Sequence, residues 1–167
     1  ALGTLSLQGG LVSATSGVLT ASSYQLQSGT VSATLGGAAT LIKSTTGTVT
    51  LAAANTYTGG TLINGSSVTL VDEGRLSGTS GITLGYGQLT ISNSGTMYLP
   101  NRVNDAANVV SLGGTLTLTG RDLTNVVETM GNLLLSEGQT MLQMTNGGQG
   151  TVKSATLSMG SLTRGAD

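Results

Sequence analysis

Residues 46 to 63 of the chain read TGTVTLAAANTYTGGTLI, and two patterns within this stretch decide the fold. The first is the run Gly47-Thr48-Val49-Thr50-Leu51, in which apolar residues alternate with threonines. Such alternation predicts a short strand with one buried and one solvated face, and the branched Cβ of Thr favours extended backbone. The second is the segment from Asn55 to Gly60. It predicts a compact turn, because Asn bonds nearby backbone and glycine adopts turn conformations without steric cost.

The same alternation recurs along the chain, in runs of about 3–5 residues separated by Gly-rich turns. A segment with Leu123, Val126, Val127 and Met130 has helical spacing, but ten residues that include Thr and Asn make a weak helix. We therefore predict an all-β chain without a significant helix. Further alternating runs are Gly3-Thr4-Leu5-Ser6-Leu7, Ser67-Val68-Thr69-Leu70, Gly81-Ile82-Thr83-Leu84, Gly87-Gln88-Leu89-Thr90-Ile91, Gly95-Thr96-Met97-Tyr98-Leu99, Gly114-Thr115-Leu116-Thr117-Leu118, Gly131-Asn132-Leu133-Leu134-Leu135 and Ala155-Thr156-Leu157-Ser158-Met159.

Composition favours a solenoid over a sandwich or barrel. Hydrophobic residues make up 38% of the 167 residues and only 13 side chains (six Lys or Arg, seven Asp or Glu) are charged, so the chain is too apolar to be disordered. It has four Tyr and no Phe or Trp, whereas the core between two packed sheets usually needs bulkier rings. We predict a single β-solenoid over residues 1–167. At roughly 20 residues a coil it would make about eight coils and a rod on the order of 40 Å long.

The missing residue types exclude several functions. Without Cys there is no disulfide and no thiolate metal site, and without His the commonest general base and metal ligand are absent. A net charge of −1 gives no basic patch for nucleic acid. The chain has no apolar run long enough for a transmembrane helix and no signal-peptide pattern, so we expect a mature or internal piece. We predict no enzyme activity, no cofactor and no metal.

The residues that could form a catalytic or metal site are better explained by structural roles. Asp72 and Glu73 lie beside Arg75, as in a carbohydrate-cleaving site, but neighbours on a strand point to opposite faces, so we predict a solvated turn. Residues 147–151 are similar to a calcium-binding nonapeptide turn but lack its Asp. Lys43 and Lys153 are the candidate lysine bases for a serine nucleophile, and neither lies in a recognisable motif.

The threonines and tyrosines suggest two alternative binding functions, to ice and to carbohydrate. Thr-x-Thr pairs can form ladders that bind ice on a flat β-helix face, but their irregular spacing along the sequence predicts ordinary strand surface. A carbohydrate-binding or polysaccharide-degrading β-helix would need aromatic rings in a groove, and the four tyrosines are far apart in sequence. The Thr pairs are 48/50, 56/58, 115/117 and 117/119, and the tyrosines are Tyr24, Tyr57, Tyr86 and Tyr98.

Residues 46–63 resemble the autotransporter-associated β-strand repeat (passenger-associated transport repeat) of Gram-negative surface proteins. That family has a Gly-x-Leu-x-Leu strand, the turn Gly-Ala-Asn-Thr-Tyr-Thr-Gly-Gly-Thr and a second strand; here Ala53 replaces the first Gly of the turn. With similar later segments, the resemblance covers roughly residues 17–165. It implies a right-handed parallel β-helix in an exported passenger region. Its structural turn motif comprises Asn55, Tyr57, Gly59 and Gly60.

These observations predict a non-catalytic structural or adhesive element of a bacterial cell-surface or secreted protein. It would act as a stalk, spacer or fibre unit on a Gram-negative bacterium. Residues 1–71 carry one charge, Lys43, and neither terminus has the sequence of a polar cap, so we expect further coils of the same or identical chains as partners. A surface or glycan ligand stays open, and nucleic-acid binding and membrane insertion are not expected.

Overall fold

Short parallel strands on successive coils hydrogen-bond to one another along the whole described chain. The computed structural model describes residues 2–147 and 153–165, and none of these residues is helical. The predicted all-β parallel β-helix is confirmed. The coils cross two long sheets, called sheet A and sheet B below, and a third face on which strands pair only in short groups.

The strands are numbered in chain order. Sheet A contains β1 (Leu2–Leu7), β3 (Val18–Leu26), β6 (Thr40–Ser44), β9 (Thr61–Asn64), β12 (Gly81–Gly85), β14 (Asn108–Ser111), β17 (Leu133–Leu135) and β20 (Leu162–Arg164). Sheet B contains β2 (Leu11–Val12), β4 (Gly29–Val31), β7 (Val49–Leu51), β10 (Ser67–Leu70), β13 (Gly87–Ser92), β15 (Gly114–Thr119) and β18 (Thr140–Thr145). The third face contains β5 (Thr34–Gly36), β8 (Ala54–Asn55), β11 (Arg75–Leu76), β16 (Val126–Met130) and β19 (Ala155–Met159).

Coil length varies while the pairing register stays regular. Leu41 pairs with Thr61, 20 residues on, whereas Leu133 pairs with Leu162, 29 residues on. The extra residues lie between strands, so the ladders of sheets A and B are unaffected. Eight strands follow one another along sheet A, which at about 4.8 Å a step gives a length of about 34 Å. We number the coils 1 to 7 by their strands in sheet A, from β1 to β17.

Every second residue of a strand points into the interior, as the alternation predicts. Val49 and Leu51 are fully buried, while Thr48 and Thr50 lie on the outside of sheet B. The segment with helical spacing is instead β16, in which Val126 and Met130 are buried and Val127 is exposed. Burial of the alternate positions against the other two faces therefore determines its conformation.

One predicted strand is wrong. Residues 95–99 alternate like the other runs but form part of a long loop, residues 93–107, between β13 and β14. Their backbone is bound by side chains rather than by the backbone of a neighbouring coil. The N–H of Leu99 donates to Asn93 Oδ1 at 3.1 Å, and the carbonyl of Met97 accepts a hydrogen bond from Arg102 at 3.3 Å.

A lysine occupies one inward position of sheet A. Lys43 lies in register between Leu26 and Ile63 and is fully buried. Its Nζ donates to the carbonyls of Ser44 and Thr45, each at 2.8 Å, and burial lowers its pKa. The ammonium group thus binds the carbonyls of the turn after β6.

Candidate functional site

The turn after Ala53 is built around the amide of Asn55, which joins three coils. Its Oδ1 accepts the N–H of Leu35 from coil 2 at 3.1 Å. Its Nδ2 donates to the carbonyl of Ala53 at 2.9 Å and to that of Arg75, in coil 4, at 3.2 Å. The buried side chain therefore supplies hydrogen bonds that the short strands of the third face cannot make by backbone alone.

Tyr57 continues this buried network towards sheet A. Its hydroxyl lies 2.8 Å from Thr61 Oγ1, which lies 2.9 Å from Thr79 Oγ1. Burial raises the pKa of Tyr57, and its ring packs against that of Tyr24 at 5.9 Å between centroids. The two rings and the threonine hydroxyls fill the interior corner between the third face and sheet A.

The two glycines of the turn have different surroundings. A Cβ at Gly59 would overlap the backbone of Ala39 and Thr40 on the preceding coil. A Cβ at Gly60 would lie 3.8 Å from the carbonyl oxygen of Gly81, an ordinary contact. Close stacking of coils therefore requires glycine at position 59 and not at position 60.

A second polar cluster lies beneath the loop of residues 93–107. Its centre is Arg102, which is fully buried. Nε donates to Asn93 Oδ1 at 3.0 Å, and one terminal nitrogen donates to the carbonyls of Asp72 and Gly74, both at 2.8 Å. The guanidinium thus joins the loop to the turn after β10. We call Asn93, Arg102 and Glu128 the Arg102 cluster.

Glu128 bridges a break in the third face. On one side, Arg102 and Val103 are joined to coil 4, since the N–H of Leu76 donates to the carbonyl of Arg102 at 2.7 Å. On the other side, the N–H groups of Arg102 and Val103 donate to the Glu128 carboxylate, at 2.9 and 2.7 Å. One inward-pointing carboxylate therefore accepts the bonds that a strand of coil 6 would accept in an unbroken ladder.

The interior position of Glu128 alters its protonation. Burial raises its pKa to about 7, against the opposing effect of the two N–H donors and of the Arg102 guanidinium; Asp105 adds a further upward contribution. Each charge of the pair is bound by backbone, and the two attract each other across the interior.

We expect the free energy of unfolding to fall as the pH rises from about 4.5 to about 7. The folded chain holds the Glu128 proton more tightly than the unfolded chain, so this contribution is complete below the unfolded pKa and is lost through the folded one. The change is up to about 3 kcal/mol. Chemical denaturation at pH 5 and pH 8 measures it, and Glu128→Gln should make the two values converge. An equally large difference in that variant would contradict the assignment.

The acidic pair noted in the sequence lies on a turn, as predicted. Asp72 is half-buried and its carboxylate accepts a hydrogen bond from the Thr96 hydroxyl at 2.9 Å, while Glu73 is exposed. Loop 93–107 thus contacts one carboxylate of the pair. Arg75 Nε and Asn93 Nδ2 are buried and have no hydrogen-bond partner among the described residues.

The other sequence candidates are separate from this cluster. Lys153 is exposed, Tyr86 is exposed beside Gly113, and Tyr98 is half-buried. Within the described ranges, no group of three or more acidic side chains is placed to hold a metal ion. Residues 148–151 of the calcium-like turn lie outside the described residues.

The sequence patterns did not predict a role for Arg102, Asn93 or Glu128. A signal was present for Glu128, since the alternation of β16 places it on the same face as the buried Val126 and Met130. No comparable signal marks Arg102, because its loop interrupts the alternation.

Comparisons with known proteins give no relative. The chain matches no protein-family model, no curated protein and no solved structure at a significant level. In the part of the chain that the structure describes, no helix is long and apolar enough to cross a membrane. The autotransporter-type resemblance therefore stays a prediction.

Proposed function

We propose that this chain is a non-catalytic structural or adhesive element of a bacterial extracellular or cell-surface protein, acting as a stalk, spacer or fibre unit. The observation that carries the proposal is the ladder of sheet A, in which eight strands pair in parallel along the described chain. Such a ladder transmits load through backbone hydrogen bonds between coils, while the apolar interior resists separation of the three faces.

The polar chemistry of the interior supports this role. Three buried polar side chains bind backbone groups of other coils: Arg102, Glu128 and Asn55. Lys43 instead binds the carbonyls of its own turn. The outward positions of sheets A and B carry no charged side chain within the described residues. These three side chains thus hold coils together. The location on a Gram-negative surface rests on the resemblance of residues 46–63, and antibody labelling of intact cells tests it.

Further coils are the proposed partners, from the same chain or from identical chains. At the end formed by β18 and β20, inward-facing positions are partly open: Leu142, Met144 and Leu162 are 40%, 47% and 65% exposed. In the middle of the rod the positions in register with them, such as Leu116, Leu118 and Leu133, are buried. A following coil would cover these side chains as the middle coils cover one another.

Particle sizing of the purified chain tests self-stacking directly. Across a series of concentrations we expect the mean particle mass to rise, because burial of the open apolar positions drives association. Leu162→Asp should shift the series back towards monomer, whereas Leu123→Asp, at an equally exposed turn position away from the end, should not. A monomer at every concentration would overturn self-stacking. Turnover of an acidic polysaccharide would overturn the non-catalytic role and favour the carbohydrate-active alternative.

A further inference from the structure

The outer face of sheet B carries an unbroken row of threonines. Five consecutive strands place Thr at the same register position, forming what we call the threonine file: Thr30, Thr50, Thr69, Thr90 and Thr117. Successive members are 20, 19, 21 and 27 residues apart, which is why the spacing is irregular along the sequence. The row is nevertheless regular in three dimensions, because the differences in coil length lie in the turns and loops between the strands.

A second row of mostly hydroxyl-bearing residues runs parallel to the file, two residues earlier on each strand. It contains Thr48, Ser67, Gln88 and Thr115, and the Ser67 and Thr48 hydroxyls are 3.1 Å apart. The two rows form a grid with about 4.8 Å between coils and about 6.7 Å between rows. At one end Gln88 donates to Thr117 Oγ1 at 3.0 Å and covers it, so the open grid spans coils 2 to 5.

Strand propensity alone does not account for the file. Sheet A has equivalent outward positions on neighbouring strands, and the central row there reads Ile42, Leu62, Thr83, Val110 and Leu134. If Thr merely suited exposed strand positions, both sheets should carry it equally. On sheet B it fills five consecutive positions of the seven in the central row, which ends in Leu11 and Gln143. The strands of the grid carry no charged or aromatic side chain.

We propose that the outer face of sheet B binds ice. Oxygen positions on the faces of hexagonal ice repeat at separations close to both spacings of the grid. Each Thr offers a hydroxyl that hydrogen-bonds water and a methyl group that restricts the orientation of adjacent water. A regular, uncharged grid therefore holds a water layer that can join the ice lattice. The inference goes beyond the proposed stalk or fibre function and does not depend on it.

Ice affinity of matched variants tests the proposal. The chain as it is should shape ice crystals and depress the freezing point below the melting point. Thr69→Tyr should lose both effects, because a ring at the centre of the grid lifts the surface away from the lattice. Thr83→Tyr is the matched control, since it places the same ring on an outward, half-buried Thr of sheet A. It should retain both effects, and melting curves of both variants report whether each is folded.

Three results would overturn the proposal. The first is an unmodified chain without any effect on ice. The second is equal loss in Thr69→Tyr and Thr83→Tyr with both folded. The third is sedimentation showing a dimer that only Thr69→Tyr disrupts, without ice shaping, which would make this face a contact between copies. If Thr69→Tyr fails to fold, Thr50→Val, which keeps the methyl group and removes the hydroxyl, provides the same comparison and should weaken the effect.

Discussion

Arg102→Met should lower the free energy of unfolding by about 3–5 kcal/mol, because it removes the donor from buried backbone acceptors and the counter-charge from a buried carboxylate. The substitution removes the Arg102 donor from the carbonyls of Asp72 and Gly74 and one of the two donors to Asn93 Oδ1. It also leaves the Glu128 carboxylate without a counter-charge. Chemical denaturation followed by circular dichroism measures the loss.

Two comparisons isolate the cause of this effect. Arg121→Met is the matched control: Arg121 donates to the carbonyl of Gly95 in the same loop at 2.7 Å but is half-exposed, so its loss should change stability by less than about 1 kcal/mol. The effect of Arg102→Met should also be larger at pH 8 than at pH 5, because at low pH a proton neutralises Glu128. Equal losses for the two arginine variants would refute the burial argument.

Gly59→Ala should destabilise the fold by about 3 kcal/mol or more, the upper range for overpacking a close contact. The added methyl group would overlap the backbone of Ala39 and Thr40, and backbone within a stack of coils cannot move without disturbing the ladder on either side. Gly60→Ala introduces the same methyl group one residue later, where it would make only ordinary contacts, and should change stability by less than about 1 kcal/mol. Comparable melting temperatures for the two variants would show that the coils are less closely stacked at this turn.

The pair of glycines illustrates what the sequence could and could not predict. The alternation of residues 46–51 predicts strand β7 and its buried face, because side-chain direction follows directly from a period of two. The turn residues predict a compact turn. Neither pattern distinguishes Gly59 from Gly60. The two glycines differ in their distance to the preceding coil, and that distance depends on pairing with residues 20 positions away.

The Arg102 cluster and the threonine file could not be predicted from the sequence, for the same physical reason. Arg102 is 26 residues from Glu128 and 30 from Asp72, and only the path of the coils brings the three together. The threonine file likewise depends on coils of unequal length returning to the same register. Local patterns specify the faces of a strand, whereas the alignment between strands is specified by the turns, whose geometry the alternation does not encode.

The unequal coil lengths mean that the length of the rod does not depend on the number of residues in each coil. Tyr24 and Leu41 are neighbours 17 residues apart, and Leu133 and Leu162 are neighbours 29 residues apart, yet each step advances the rod by the same strand spacing of about 4.8 Å. The reach of the molecule is therefore counted in strands and is independent of its mass. An insertion such as loop 93–107 adds exposed side chains at one position along the rod without lengthening it. The surface loops and the length of the rod can therefore change independently.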